Sequence, residues 1–288
     1  MKMRHEVFAG YEGDRLAVDV FEGGERTVLF LHGGGQTRRA WDGTARMVAQ
    51  RGMRAVTLDL RGHGESDWSK SGHYRFSDYA ADVAAVVSVL AERDGAKPAV
   101  VGASLGGIAA LTAETTDGPL ISGLVLVDVI LRMNPSGIQR IQGFMAERMV
   151  EGFATLDEAA AAIALYLPNR KRPPSTEGLR KNLRLDADGR YRWHWDPAMI
   201  GGPNAINSNA RDVLLRVETL LPKLAIPVLL VRGMDSEVVD EDGARDFIGR
   251  IPNGRYVDVG GAGHMVAGDR NDAFCDAILE FLGETADA

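Results

Sequence analysis

Cysteine is almost absent from this sequence. Cys275 is the only cysteine among 288 residues, so the chain cannot form an internal disulfide and gives no indication of an oxidising compartment. It lies in the helical pattern "NDAFCDAILEFL" (271–282), where a small buried apolar side chain is the ordinary interpretation. We therefore expect Cys275 to be a structural residue.

Long apolar runs and an excess of basic residues are also lacking. No segment approaches the ~18 consecutive apolar residues of a membrane span, and the first residues do not form a secretory signal. The net charge of −7 argues against nucleic-acid binding, which usually needs a basic surface. We predict a soluble, cytoplasmic protein, either a monomer or a homodimer, that binds neither membranes nor nucleic acid.

Short apolar runs alternate along the chain with longer segments of helical spacing. The runs are rich in Val and Leu and end near Gly, Asp or Ser, as buried parallel strands do. They cover residues 27–33, 54–60, 98–104, 123–129, 227–233 and 255–261. This alternation predicts an α/β fold with a doubly wound, mostly parallel sheet. Residues 5–24 have the pattern of an antiparallel hairpin. Ser77 is the expected N-cap of the helical segment 77–95.

The alternation stops between residues 133 and 210. This region is too long for a bare loop and carries two helical patterns followed by the aromatic stretch "RYRWHWDP" (190–197). We predict a helical insertion over 133–210, set into a core formed by residues 1–132 and 211–288. The basic residues Arg170 to Arg172 within it are interpreted as a solvated turn.

The segment "GASLGG" (102–107) has the spacing G-x-S-x-G around Ser104. It follows a predicted strand and precedes a predicted helix, which is the context in which a serine is held on a sharp turn and exposed as a nucleophile. A dinucleotide-binding turn would need a second glycine at position 104. Ser104 is therefore the predicted nucleophile.

The segment "LHGGGQ" (31–36) follows the first predicted parallel strand. Its glycines allow backbone N–H groups to face a substrate oxygen, and an oxyanion hole for acyl transfer combines such a donor with the N–H after the nucleophile. We predict Gly34 and Leu105 as these donors. His32, at the strand end, is expected to be structural.

The segment "GGAGHMVAGD" (260–269) places His264 in a glycine-rich loop after the last predicted strand. Its order after Ser104 fits the sequence Ser…acid…His, and an imidazole is suited to general base catalysis. No H-E-x-x-H motif or Cys/His cluster is found in the sequence, so we predict neither a metal nor a cofactor.

Together, "LHGGGQTRRAW", "DLRGHGES", "GASLGG" and "GAGHMV" resemble the α/β-hydrolase fold superfamily over nearly the whole chain. The resemblance implies that residues 133–210 form a cap, and that "DLRGHGES" is a turn near the site outside the catalytic triad. Similar proteins include esterases, lactonases, epoxide hydrolases and cofactor-free haloperoxidases. Epoxide hydrolases and dehalogenases use an aspartate nucleophile, whereas this chain has Ser104.

The acid of the triad is less clear from the sequence. Most similar proteins place it after the penultimate strand, about 28 residues before the histidine, a spacing that falls on Ser236 here. Asp235 and Glu237 flank that position. In some members the acid instead follows the strand after the nucleophile helix, and Asp128 lies there, 24 residues after Ser104. We favour Asp128 and keep Asp235 and Glu237 as alternatives.

A pocket for a smallish, apolar acyl or lactone substrate is expected beneath the cap, since ligand sites are mostly apolar. Paired tryptophans are often simply core residues, which is the alternative for "RWHWD" (192–196). The predicted substrate-binding residues are Gly35, Trp41, Ile130, Met133, Trp193, Trp195 and Met265.

These residues predict a serine hydrolase that cleaves a carboxylic ester or lactone through an acyl-enzyme. Perhydrolysis, as in cofactor-free haloperoxidases, and carbon–carbon bond hydrolysis are alternatives that would use the same triad. A non-enzymatic ligand receptor that retains the triad is a third possibility from another functional class, which nothing in the sequence favours.

Overall fold

The computed structural model describes residues 2–166, 175–264 and 271–284. The strands are β1 Met3–Ala9, β2 Arg15–Phe21, β3 Thr27–Leu31, β4 Arg54–Leu58, β5 Ala99–Ala103, β6 Gly123–Val127, β7 Leu183–Leu185, β8 Tyr191–Trp193, β9 Val228–Gly233 and β10 Gly254–Val259. Eight of them form one sheet in the order β1-β2-β4-β3-β5-β6-β9-β10, and β7 pairs with β8 separately.

The described residues form nine α-helices, most of which lie between successive strands. They are α1 Asp42–Gln50, α2 Phe76–Asp94, α3 Leu105–Asp117, α4 Pro135–Ala146, α5 Leu156–Tyr166, α6 Ala198–Gly201, α7 Ala210–Leu220, α8 Glu241–Gly249 and α9 Asn271–Glu284. No helix in this part of the chain is both long enough and apolar enough to cross a membrane.

The sheet is parallel except at its N-terminal edge. There β1 pairs with β2, and β2 with β4, in antiparallel register, while β4, β3, β5, β6, β9 and β10 run parallel to one another. The prediction of a mostly parallel α/β sheet that starts with an antiparallel hairpin is confirmed. Its parallel strands end at one common edge, which is where sites form in open α/β sheets.

Both faces of the sheet are covered, because successive side chains of a strand point to opposite faces. Leu29 and Leu31 of β3 belong to the core cluster shared with α2, α3 and the cap. Val28 and Phe30 belong to the cluster on the other face, with α1 and α9. Cys275 is fully buried in that second cluster, as expected for a structural residue.

The predicted insertion contains α4, α5, α6 and the small β7–β8 hairpin. Its buried side chains, including Met145, Trp193 and Trp195, belong to the core cluster that contains Leu29 and Leu31. We keep the name cap for residues 133–210, whose boundaries remain a prediction. The β7–β8 hairpin is a difference from the helical expectation, and its second strand is formed by the first half of the aromatic stretch.

The predicted N-cap at Ser77 is wrong. Helix α2 begins at Phe76 with Arg75 as its N-cap, and the Asp78 carboxylate accepts the Arg75 backbone N–H at 2.8 Å. The Ser77 hydroxyl instead accepts a hydrogen bond of 3.3 Å from the Asn209 side chain. A carboxylate in the first turn satisfies an N-terminal donor as well as a serine does, so residue type alone did not locate the start.

Candidate active site

Ser104 occupies the strained turn between β5 and α3. Its backbone has φ 45° and ψ −113°, which is rare for a residue with a side chain. A Cβ on Gly102 would lie 2.6 Å from the Gly107 nitrogen, and one on Gly106 would lie 2.6 Å from the Leu31 Cβ. Only glycine fits at both positions, so the two glycines permit the sharp turn that presents Ser104.

The glycine loop (residues 31–36) lies beside this turn. A Cβ on Gly33 would lie 3.4 Å from the Ser104 Cβ. The Gly33 N–H donates to the Gln36 side chain at 3.0 Å, and the Gly35 N–H donates to His63 Nε2 at 3.2 Å. Within the described residues, the N–H groups of Gly34 and Leu105 have no hydrogen-bond partner. Their role as oxyanion donors stays a prediction.

Asp128 comes directly after β6 and is completely buried. Its Oδ2 lies 2.8 Å from Nδ1 of His264, and its Oδ1 accepts the Gly233 N–H at 3.1 Å. The Ser104 N–H donates to the carbonyl of Val127, the residue before Asp128, at 3.2 Å. The Ser104 turn, the Asp128 carboxylate and His264 thus lie together at the edge where β5, β6 and β10 end.

The loop that carries His264 is held against the end of β9. A Cβ on Gly233 would lie 2.4 Å from the Ala262 carbonyl oxygen, and the Asp235 N–H donates to that oxygen at 3.0 Å. This close approach brings the His264 ring to the carboxylate of Asp128. The ring keeps 13% of its side-chain surface exposed.

The two alternative acids point elsewhere. Asp235 is exposed, and Glu237 forms an ion pair with Arg140 of helix α4. In the part of the chain that the structure describes, neither carboxylate contacts His264. The hydrogen bond to His264 therefore favours Asp128 over both.

Three other histidines form a buried group, the histidine cluster (His32, His63 and His194). The His32 and His63 rings lie 4.9 Å apart, and those of His63 and His194 lie 6.1 Å apart. Burial lowers the pKa of each to about 3. The neutral rings accept backbone N–H groups from Leu60, Gly35 and Gly64 respectively. The cluster holds loops in place, and His32 is structural as expected.

The cap covers the glycine loop. A Cβ on Gly35 would lie 3.1 Å from Met145 Cε and 3.3 Å from Trp195 Cζ3, and Gly35 has φ 73°. Trp193 stacks on Trp195 with 4.9 Å between ring centroids and an interplanar angle of 10°. Trp195 thus touches the glycine loop directly, whereas Trp193 lies behind it.

Trp41 is a correction to the predicted pocket. It is 1% exposed and packs against Phe30 and Phe274 in the cluster on the other face of the sheet. Trp41 ends a short 3-10 helix (Arg38–Trp41), and its indole joins the core on the face of the sheet opposite the cap. Its closeness in sequence to the glycine loop was misleading.

The remaining predicted pocket residues are less closely tied to Ser104. Ile130 approaches Gly243 of α8 and lines a small cavity with Leu131 and Phe247. Met133 is partly buried against the core cluster that contains Leu29 and Leu31. Met265 lies outside the described residues. All three stay predictions as substrate contacts.

Several residues at the site were not identified from the sequence. Met145 closes over the glycine loop, His63 binds that loop, and the Ser236 hydroxyl donates to Asp128 Oδ2 at 2.6 Å. The spacing from His264 did point to position 236, but as a missing acid. Among the described residues, no group of three or more His, Cys, Asp or Glu side chains is placed to hold a metal ion.

Known proteins resemble this chain over most of its length. The sequence profile of the alpha/beta hydrolase fold family matches residues 26–270. The esterase Rv0045c of Mycobacterium tuberculosis is 30% identical over 88% of this chain and 82% of its own length. A non-heme haloperoxidase of Rhodococcus erythropolis is 26% identical over 90% of this chain and 93% of its own length.

Solved structures show the same architecture. The structure of the M. tuberculosis esterase Rv0045c superposes with a TM-score of 0.74 at 27% identity, covering 98% of this chain and 92% of that one. E-2-(acetamidomethylene)succinate hydrolase reaches a TM-score of 0.81 at 22% identity, covering 98% of this chain and 100% of its own, which shows the fold alone. With its strand order, its serine turn and these similarities, the chain belongs to the alpha/beta hydrolase fold family.

Proposed function

We propose that this protein is a serine hydrolase that cleaves a small carboxylic ester or lactone through an acyl-enzyme. The observation that carries the proposal is the hydrogen bond between the buried Asp128 and His264, at the sheet edge where Ser104 occupies its strained turn. The similarity to an esterase supports the substrate class. The constellation has the parts of a triad, recognised by geometry rather than by sequence position.

In the proposed first step, Ser104 Oγ attacks the carbonyl carbon of the substrate. Asp128 holds the proton on Nδ1 of His264, which leaves Nε2 free to take the proton of the serine hydroxyl. The carbonyl electron pair moves onto its oxygen, where the N–H groups of Gly34 and Leu105 donate to it.

The tetrahedral intermediate then collapses and the bond to the leaving oxygen breaks. His264 returns its proton to that oxygen, which departs as an alcohol or, for a lactone, stays as a hydroxyl on the acyl chain. Water attacks the acyl-enzyme and gives a proton to His264. That proton returns to Ser104 as the carboxylic acid is released.

The walls of the site support a small, apolar acyl group. Met145 and Trp195 press on Gly35 from the cap, and both side chains are almost completely buried. A site enclosed by a thioether and an indole favours apolar groups over charged ones. We therefore assign Met145 and Trp195 to the substrate wall, with Trp193 supporting Trp195 from behind.

A fluorophosphonate probe tests the nucleophile directly. We expect it to label the wild-type protein and not Ser104→Ala, while Ser88→Ala, on the exposed surface of α2, is labelled normally. A panel of p-nitrophenyl esters and lactones of increasing acyl length then defines the substrate. A folded wild-type protein that resists the probe and hydrolyses none of the panel would refute the proposal.

A second candidate is perhydrolysis, which the similarity to a non-heme haloperoxidase favours. Hydrogen peroxide would replace water in attacking the acyl-enzyme, releasing a peracid and restoring the Ser104 hydroxyl. The peracid would then oxidise a halide. Bromination of monochlorodimedone in the presence of acetate and peroxide, abolished in Ser104→Ala, would support this reaction, and its absence in an active esterase would exclude it.

A further inference from the structure

Ser236 touches the carboxylate that binds the histidine. It lies after β9 in the Ser236 loop (residues 234–239), and its Oγ is 2.6 Å from Asp128 Oδ2. The same oxygen lies 2.8 Å from Nδ1 of His264. A single carboxylate oxygen therefore joins the serine hydroxyl to the imidazole.

The direction of the serine hydrogen bond follows from its other partners. The backbone N–H groups of Val238 and Val239 point at Ser236 Oγ, at 3.2 and 3.1 Å. A hydroxyl has one proton and two acceptor lone pairs, and the two N–H groups occupy both lone pairs. The proton is therefore left for Asp128, whose Oδ2 must accept it.

The Ser236 loop is itself firmly held. The Val238 carbonyl accepts the Asn134 N–H at 2.9 Å, and the Arg232 guanidinium donates to the Val239 carbonyl at 3.2 Å. Both valines are completely buried. The hydroxyl is thus placed by packed backbone on two sides rather than by a mobile surface turn.

We propose that Ser236 is a positioning residue for the triad acid, an inference that rests on the proposed function. By donating to Oδ2 while Gly233 donates to Oδ1, it fixes the rotation of the Asp128 carboxylate. The carboxylate in turn accepts the Nδ1 proton of His264 and so sets the tautomer in which Nε2 is the base.

The same geometry provides a test in which an aspartate at position 236, the usual place of the acid in similar proteins, replaces Asp128. Strands β6 and β9 are neighbours in parallel register, with Val127 opposite Val231, so residues 128 and 236 follow adjacent strand ends. The serine oxygen already lies one hydrogen bond from the oxygen that binds His264. An aspartate side chain is longer than serine by about one bond, which brings a carboxylate at position 236 toward the same imidazole nitrogen.

The first test removes and restores the hydroxyl. We expect Ser236→Ala to lower kcat for a p-nitrophenyl ester on the order of 10-fold, as loss of a supporting hydrogen bond does elsewhere, with KM unchanged because Ser236 supports the acid and not the pocket. Ser236→Thr keeps the hydroxyl and should restore kcat. Ser88→Ala serves as the matched control. Equal kcat for wild type and Ser236→Ala would overturn the inference, as would failure of Ser236→Thr to exceed Ser236→Ala.

The second test exchanges the two residues and remains informative even where Ser236→Ala folds poorly. Asp128→Ser alone should lose activity on the order of 10⁴-fold. Adding Ser236→Asp should recover about tenfold or more of that loss, whereas adding the uncharged isostere Ser236→Asn should not. Identical activity in the two double variants would overturn the claim that position 236 reaches His264.

The outcomes separate this inference from the proposed function. A wild-type protein without esterase activity or fluorophosphonate labelling refutes the hydrolase itself. A protein that is active, loses activity in Asp128→Asn, and yet is indifferent to Ser236→Ala and to the exchange refutes only the role of Ser236.

Discussion

The histidines of this chain occupy two contrasting regions. His264 has a carboxylate partner, lies in a loop beyond the sheet and retains some exposed surface. The histidine cluster is buried, and its rings accept backbone N–H groups instead. The same imidazole thus serves as the proposed base in one region and as a fixed acceptor in the other. The environment decides the role, and the two regions should respond differently to substitution.

The largest expected effect separates rate from stability. His264→Gln should lower kcat on the order of 10⁶-fold, because loss of the base removes the function of the whole triad. The free energy of unfolding should change little, since Asp128 keeps its hydrogen bonds from Gly233 and Ser236 when the ring is removed. Ester hydrolysis and denaturant unfolding of the same preparation measure both quantities. A variant that loses stability together with activity would show that His264 supports the fold as the histidine cluster does.

The second-largest effect concerns Asp128, the carboxylate partner of His264. Asp128→Asn should lower kcat on the order of 10⁴-fold, because the amide favours the wrong imidazole tautomer. Asp235→Asn and Glu237→Gln are matched controls that should stay near wild type, since one is exposed and the other pairs with Arg140. If either control loses activity while Asp128→Asn does not, the assignment of the acid is wrong.

We expect smaller losses of stability and rate when a residue of the histidine cluster is substituted. His63→Ala leaves the Gly35 N–H without its acceptor, which costs about 1–3 kcal/mol of unfolding free energy. The loosened glycine loop would misplace the proposed oxyanion donor Gly34, and a displacement of about 1 Å can cost on the order of 10²-fold in rate. His63→Gln offers a replacement acceptor and should lose less of both. Unchanged stability in His63→Ala would show that the ring does not hold the loop.

Local chemistry explains which features could be predicted from the sequence. The strands and the Ser104 turn are dictated by short runs of apolar residues and by glycines that no other residue can replace. The choice of Asp128 rested on one count along the chain and on the expectation that sites form beyond strand ends. These features depend on neighbours in sequence or on the general form of a parallel sheet.

Other features depend on contacts between distant segments. Trp41 follows the glycine loop but turns beneath the sheet, which no local pattern reveals. Met145 lies at the end of a cap helix, and only the packing of that helix brings it over Gly35. Ser236 was found by spacing yet interpreted as a gap, because a count along the chain does not show a hydroxyl donating to a carboxylate from the next strand.

The effect that is smallest at neutral pH concerns stability in acid, and it arises from the histidine cluster. Burial lowers the pKa of His32, His63 and His194 to about 3 in the folded protein, against about 6.5 for an exposed histidine. Between these values the unfolded chain binds more protons than the folded chain. The unfolding free energy therefore falls as the pH drops below about 6.5, by up to about 1.4 kcal/mol per pH unit for each ring.

His194→Asn tests this contribution with little change in shape. The asparagine carbonyl can take over the Gly64 N–H from Nδ1 of the imidazole, but it does not titrate. Unfolding curves in urea, recorded from pH 7 down to about pH 4.5, should show the variant losing stability less steeply than the wild type below about pH 6.5. If the unfolding free energies of the variant and the wild type fall equally with pH, His194 takes up no extra proton on unfolding. The cluster would then differ from His264 in its hydrogen-bond partners alone, and not in how firmly the fold keeps it neutral.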